Sequence, residues 1–114
     1  MDRMFRVNSL VREAIADIIS RRLKDPRVGM VSIHEVIVSR DLKSARVYFG
    51  VVNLNEIEST TIGLSKAAPF IQKELAKEIT LRYTPKLTFI YDDSYERGNR
   101  IFNLLKRLKT RNND

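Results

Sequence analysis

Apolar residues recur at steps of three and four from Val7 to Leu23, through Val7, Leu10, Val11, Ala14, Ile15, Ile18, Ile19 and Leu23. That spacing predicts a helix with one apolar stripe, with Arg12, Glu13, Asp17, Ser20 and Arg21 off it. Asp25-Pro26 ends it, because a residue before proline is pushed out of the α region. From Met30 to Ser39 the rhythm changes to Val/Ile-rich alternation, the period of a strand. Its parity shifts midway: Val31 and Ile33 share one face, Val36 and Val38 the other. One extra residue, a bulge near His34 or Glu35, would return both pairs to the core. After the polar turn Arg40-Asp41-Leu42-Lys43, Ser44 to Val52 alternates again, with Ala45, Val47, Phe49 and Val51 on one face. An antiparallel hairpin is expected.

Asn55-x-x-Glu58 has the form of a capping box opening a helix. Thr61 to Leu81 then reads as an amphipathic helix with a proline at its centre, in Ala67-Ala68-Pro69. Proline lacks an N–H and clashes with the preceding turn, so a kink or a new helix starting at Pro69 is expected there. Pro85 precedes a third strand, Leu87 to Asp92. Asp93-x-x-Glu96 is placed to cap a last helix carrying Ile101, Leu104, Leu105 and Leu108. The resulting order is α-β-β-α-α-β-α, an α+β fold with a three-stranded sheet and helices on one face, burying all these stripes in one core. Residues 1–109 are expected to form a single domain, and 110–114 a frayed polar tail.

Composition adds a polyanion partner and removes several chemistries. The 114 residues carry a net charge of +7, from 21 Lys+Arg against 14 Asp+Glu, and the excess is spread over the elements rather than held in a tail. A folded basic surface of this kind suits nucleic acid. The absence of cysteine excludes disulfides, thiolate metal sites and a cysteine nucleophile. No apolar run has the length of a membrane span, and a soluble cytoplasmic protein is expected. The single histidine, His34, is expected as a partly exposed strand residue. The four glycines form no phosphate loop, and no serine or threonine has a sequence-adjacent base. Asp92, Asp93 and Glu96 are read as strand end and helix cap rather than a metal cluster. No metal, cofactor or catalytic residue is assigned, and a non-enzyme is expected.

Several short segments carry a family resemblance: Lys24-Asp25-Pro26-Arg27-Val28-Gly29, Val38-Ser39-Arg40-Asp41-Leu42, Ala45-Arg46-Val47-Tyr48, Leu81-Arg82, Pro85-x-Leu87-Thr88-Phe89 and Asp92-x-Ser94. In this order and spacing the chain resembles the ribosome-binding factor A family over roughly Met4 to Leu108. The resemblance implies a type II KH-like fold that binds the small (30S) ribosomal subunit and its precursor 16S ribosomal RNA. It also implies support of late maturation and 5′-end processing without catalysis, an association with growth in the cold, and no cofactor. The partners implied are the subunit, its ribosomal proteins and a maturation GTPase, and a monomer is expected. The alternative is a general RNA-binding or RNA-processing protein acting elsewhere.

KH domains usually grip backbone with a Gly-x-x-Gly loop. The family resembled here has an Ala-x-Gly interhelical kink in its place, and Ala67, Ala68 and Pro69 stand at the matching positions, so proline replaces glycine. Proline removes the donor at residue 69. If Pro69 opens a helix, the amides of Phe70, Ile71 and Gln72 are left for a phosphate. The candidate RNA-binding residues are Lys66, Ala67, Pro69, Lys73 and Lys77 along the broken helix, and Arg82 and Lys86 near the third strand. Arg6, Arg12, Lys24 and Arg27 are added from the first helix and its exit, and Arg40, Lys43 and Arg46 from the hairpin. As a set they suit a phosphate-dominated interface. Among aromatics, Phe49 and Phe89 are expected in the core and Tyr48 outside it.

Overall fold

The structure is a computed structural model that describes residues 2–23, 28 and 30–112. The first helix, α1 (Arg3–Arg22), starts four residues before the apolar periodicity, because the Asp2 side chain caps it by accepting from the Met4 amide at 3.1 Å. Val11, Ile15, Ile18 and Ile19 are its buried positions, while Leu10 is half-exposed and leaves the stripe. Asp25-Pro26, the expected stop, lies outside the described residues.

The strands β1 (Val31–Val38) and β2 (Ser44–Val51) form the antiparallel hairpin. The register shifts between Ile33 and Glu35, so the bulge falls at His34. It places Val36 and Val38 in the core and lets Val31 and Ile33 pack against the same core. On β2, Ala45, Val47 and Phe49 are buried. The third strand, β3 (Lys86–Tyr91), lies parallel to β2, with Val47 opposite Phe89, giving the order β1-β2-β3. A parallel neighbour needs a long crossover; here it is a helix, α2 (Ile57–Glu78), preceded by a short 3-10 turn at Leu54–Glu56.

One expectation about α2 is corrected, and one is refined. The capping box at Asn55 does not form; the Asn53 side chain accepts from the Asn55 amide at 3.0 Å and opens the 3-10 turn instead. The helical segments on either side of Ala67-Ala68-Pro69 are present, but they join in one helix with Pro69 inside. Pro69 is tolerated because it faces solvent, while Leu64, Ala68, Ile71 and Leu75 hold both halves against the core. Each fully buried aliphatic side chain contributes roughly 1.5–3 kcal/mol, enough for a few of them to offset the roughly 3 kcal/mol of a mid-helix proline.

The last helix, α3 (Ser94–Asn112), departs most from expectation. At its start Asp92 Oδ1 accepts from the Ser94 amide at 2.9 Å, and the Asp93 carbonyl accepts from the Arg97 amide at 2.9 Å. It stays helical to Asn112, three residues into the segment expected to fray. Its apolar residues do not join the core: Ile101, Leu104, Leu105 and Leu108 are all exposed. α1 and α2 already cover the core face of the sheet; the other face mixes Ser32, His34, Glu35, Arg46, Lys86 and Thr88 with the part-buried Ile37, Tyr48 and Ile90. No extended contact joins α3 to another element among the described residues. The radius of gyration, 17.3 Å, accordingly exceeds the roughly 13 Å of a compact chain of this size.

The end of β3 is tied to β1 through His34. Its Nδ1 lies 2.8 Å from Asp92 Oδ2 and its Nε2 2.9 Å from Ser32 Oγ. The ring lies against Gly50 on β2, where an added Cβ would come within 2.7 Å of it. The His34 hydrogen bond, followed by the Ser94 amide, holds the Asp92 carboxyl down to about 2. An ionised carboxylate only accepts, so Nδ1 carries the proton. The His34–Asp92 bond ties β1 to the end of β3, Asp92 also accepts from the first amide of α3, and Ser32 holds the ring from within β1. Nearby, the Tyr91 hydroxyl donates to Glu96 at 2.6 Å, which pushes its own titration up to about 12.

Two outcomes follow for stability. Pro69→Ala restores an amide to the middle of α2 and is expected to stabilise the fold by about 1–3 kcal/mol, read as a higher urea midpoint at unchanged slope. Asp92→Asn is expected to destabilise by about 1–3 kcal/mol at neutral pH. Because the folded carboxyl titrates at about 2, below its ordinary 3.8, its contribution is complete above pH 4 and disappears as pH falls through 2. Urea titrations at graded pH should therefore show the wild type and Asp92→Asn converging towards pH 2.

Candidate nucleic-acid interface

The turn between β1 and β2 is held by its own side chains. Asp41 Oδ1 accepts from Ser39 Oγ at 2.6 Å and from the Lys43 amide at 3.0 Å. The Ser39 bond, then the Lys43 amide, keep the Asp41 carboxyl below its usual range. Leu42 adopts a positive φ of 64° and packs its side chain against the core. A non-glycine residue in that region is held only where its surroundings demand it. The turn thereby presents Arg40 and Lys43 on a fixed backbone.

The connection from α2 to β3 meets this turn. The Lys86 amide donates to the Lys43 carbonyl at 2.9 Å, which seats the start of β3 beside it. Arg82 and Lys43 both lie over the Tyr83 ring, 5.5 and 5.2 Å from its centroid, within cation–π range. The first turn of α1 closes the third side. The result is an open cleft of about 530 Å³ where Arg3, Arg40, Lys43 and Arg82 converge around Tyr83. Asp41 is the one carboxylate in its lining, and its Oδ1 is engaged by the turn. Four cations on three rigid segments, around a half-exposed aromatic ring, make a surface suited to phosphate and a stacked base. Arg6 lies beside it, sharing a shallow hollow with Arg3.

The expected residues on α2 form a second basic surface. Lys66, Lys73 and Lys77 are exposed and separated by seven and four residues, so they share one face. Lys77 is engaged by Glu74 at 3.5 Å, and Glu74 also accepts from Arg22 at 2.9 Å. Lys66 and Lys73 make no ion pair with the described residues. Phe70 and Ile62 are partly exposed on the same helix. Ala67 is half-buried and Pro69 exposed. Because α2 runs unbroken through Pro69, no helix N-terminus opens there; the amides of Phe70, Ile71 and Gln72 lie inside the helix, where amides bond the carbonyl four residues back. That corrects the phosphate site expected at those amides.

The remaining candidates are scattered. Arg46 and Lys86 project from the helix-free face, where Arg46 donates to the Tyr48 hydroxyl at 3.2 Å. Arg12 is half-buried on α1. Lys24 and Arg27 lie outside the described residues. Sequence reasoning missed Arg3, Tyr83 and Phe70. Phe70 carried a signal, an aromatic between Lys66 and Lys73, but Arg3 and Tyr83 are 80 residues apart and only the fold brings them together.

Three comparisons bear on this arrangement. The family described as ribosome-binding factor A matches residues 3–105. A ribosome-binding factor A of Geobacter metallireducens is 43% identical over 110 residues, covering 92% of this chain and 93% of the relative. One from Synechocystis is 41% identical, covering 93% of this chain and 82% of the relative. Among solved structures, the crystal structure of ribosome-binding factor A from Thermus thermophilus superposes with a TM-score of 0.71 at 26% identity, covering 77% of this chain and 94% of its own. A homology model of the Thermus thermophilus protein, fitted into a cryo-EM map of its complex with 30S, gives a TM-score of 0.64 at 27% identity, covering 75% of this chain and 91% of its own. The α+β, KH-like arrangement of two helices under a three-stranded sheet is thus shared with those structures, and the chain belongs to the ribosome-binding factor A family.

Proposed function

We propose that this protein binds the small ribosomal subunit through its precursor 16S RNA, and that the cleft around Tyr83 is its principal phosphate contact. The observation that carries this reading is that Arg3, Arg40, Lys43 and Arg82 line one cleft, with Lys43 and Arg82 over the Tyr83 ring. It occurs in a chain whose relatives bear the name of a ribosome-binding factor and whose structural neighbour was placed on 30S. Cations fixed on packed elements lose little entropy on binding, so each phosphate contact retains most of its value. The exposed face of α2, with Lys66, Lys73 and Phe70, extends the contact, and Ala67 and Pro69 shape it. Arg6 and Lys86 lie at its margins, and Arg12, Lys24, Arg27 and Arg46 are carried as further contacts.

The mechanism is binding rather than catalysis. The protein holds an immature conformation of the subunit RNA, supports late maturation and 5′-end processing done by others, and leaves when a maturation GTPase displaces it. It works in the cytoplasm as a monomer with no cofactor. Growth in the cold, where misfolded RNA is slow to rearrange, is where its absence is felt. An RNA-binding role away from the ribosome predicts equal affinity for unrelated RNA of the same length.

The test is sedimentation with purified small subunits at graded salt. Wild-type affinity should fall steeply as salt rises. Arg40→Ala/Lys43→Ala/Arg82→Ala should bind at least tenfold more weakly, with the salt slope reduced by about one for each phosphate contact removed. Lys66→Glu/Lys73→Glu/Lys77→Glu should lose binding while keeping wild-type circular dichroism. Undiminished binding by both triple variants would place the interface elsewhere.

A further inference from the structure

The core leaves α3 unpartnered, and its surface is too apolar and too basic to be a bare spacer. Ile101, Leu104, Leu105 and Leu108 are 59%, 51%, 59% and 44% exposed. At 3.6 residues per turn they fall within an arc of about 100°. Arg100 and Arg107 border one edge of this stripe and Lys109 the other. The helix holds six cations against one carboxylate, Glu96. A contiguous apolar stripe on this scale marks a binding surface.

The chemistry of the occupant follows from that pattern. A second copy would bring another strongly basic stripe against this one, so like charges would face each other. The helix-free face of the sheet carries Arg46 and Lys86 beside Glu35, and α3 makes no extended contact with it among the described residues. An RNA groove would satisfy the cations but leave four aliphatic side chains against polar edges. A flat anionic bilayer would accept the stripe and both basic borders, so it is the small-subunit reading above that favours a ribosomal partner over it. A groove that clasps the helix from both sides meets all three. We infer that α3 is a docking helix for a protein groove with an apolar floor and acidic walls, borne by the small subunit. The mode is helix-in-groove recognition read through positions 101, 104, 105 and 108. This rests on the small-subunit reading above and adds a protein contact, distinct from the RNA contact at the cleft.

The test uses the full chain and purified small subunits, with benzoylphenylalanine in place of Phe102 at the edge of the stripe. Irradiation should yield an adduct with a subunit protein, at a peptide carrying Asp or Glu among apolar residues. Leu104→Gln/Leu108→Gln, which keeps every charge, should lose that adduct and bind at least tenfold more weakly. Its melting temperature should be unchanged, since α3 makes no extended contact with the core. At Gly98 an added Cβ meets nothing within 4 Å, so Gly98→Ala should firm the helix and tighten binding by up to about fivefold. An adduct on ribosomal RNA or on a second copy overturns the inference, as does wild-type affinity in the double variant. Sedimentation with phosphatidylglycerol vesicles, lost in the double variant and without a subunit adduct, also overturns it in favour of a membrane surface. Failure of the unsubstituted chain to sediment with subunits overturns both this inference and the reading it rests on, whereas binding with an RNA adduct overturns this one alone.

Discussion

Val36, Val38, Val47, Phe49, Leu87 and Phe89 line a single face of the sheet, and burying them under α1 and α2 is the constraint on which the other features depend. A strand's side chains alternate, so β1 can keep both of its apolar pairs on that face only by inserting a residue. The inserted residue is His34, which leaves the core and becomes the tie between β1, Gly50 on β2 and Asp92 after β3. The same burial keeps α2 helical on both sides of Pro69. With α1 and α2 filling that face, α3 makes no extended contact with another element among the described residues, and its stripe stays exposed.

The basic cleft is a by-product of that architecture with chemical consequences. A parallel β3 requires the chain to return along α2 and re-enter the sheet next to the β1–β2 turn. That return places Arg82 and Tyr83 beside Lys43, and the first turn of α1 supplies Arg3. Cations from three segments meet where connections cluster at one end of the sheet. Loops positioned by a rigid scaffold are where binding residues concentrate. The other end of the molecule carries α3. Its apolar stripe sets it apart from the cleft, whose open lining joins cations to an aromatic ring.

Much of the fold was legible in periodicity. The strand rhythm of Val31–Val38 with its broken parity located the bulge, because period two tolerates no slip while one face is buried. The helix of α1 was legible from its stripe, but its start was not, since Asp2 caps a turn with no periodic signal. One capping pattern misled: the side chain that opens the turn is Asn53, which accepts from the Asn55 amide, so the box expected at Asn55 does not form. Pro69 was read on local grounds as a kink or a helix start; the two helical segments are found, and packing on both sides keeps them in one helical span.

By itself, then, the sequence determined the element types, the hairpin, the sides of each strand, the basic character of the surface and the family to which the chain belongs. These are local properties: spacing, turn chemistry, charge and the order of short segments. Tertiary structure alone decided the parallel pairing of β3, the meeting of Arg3, Lys43, Arg82 and Tyr83, the Ser32–His34–Asp92 chain, and the exclusion of α3 from the core. Each of these depends on which residues distant in the chain become neighbours. The stripe on α3 was visible as a stripe from the start; that no described element covers it is seen only in the tertiary structure, where α1 and α2 fill the core face of the sheet.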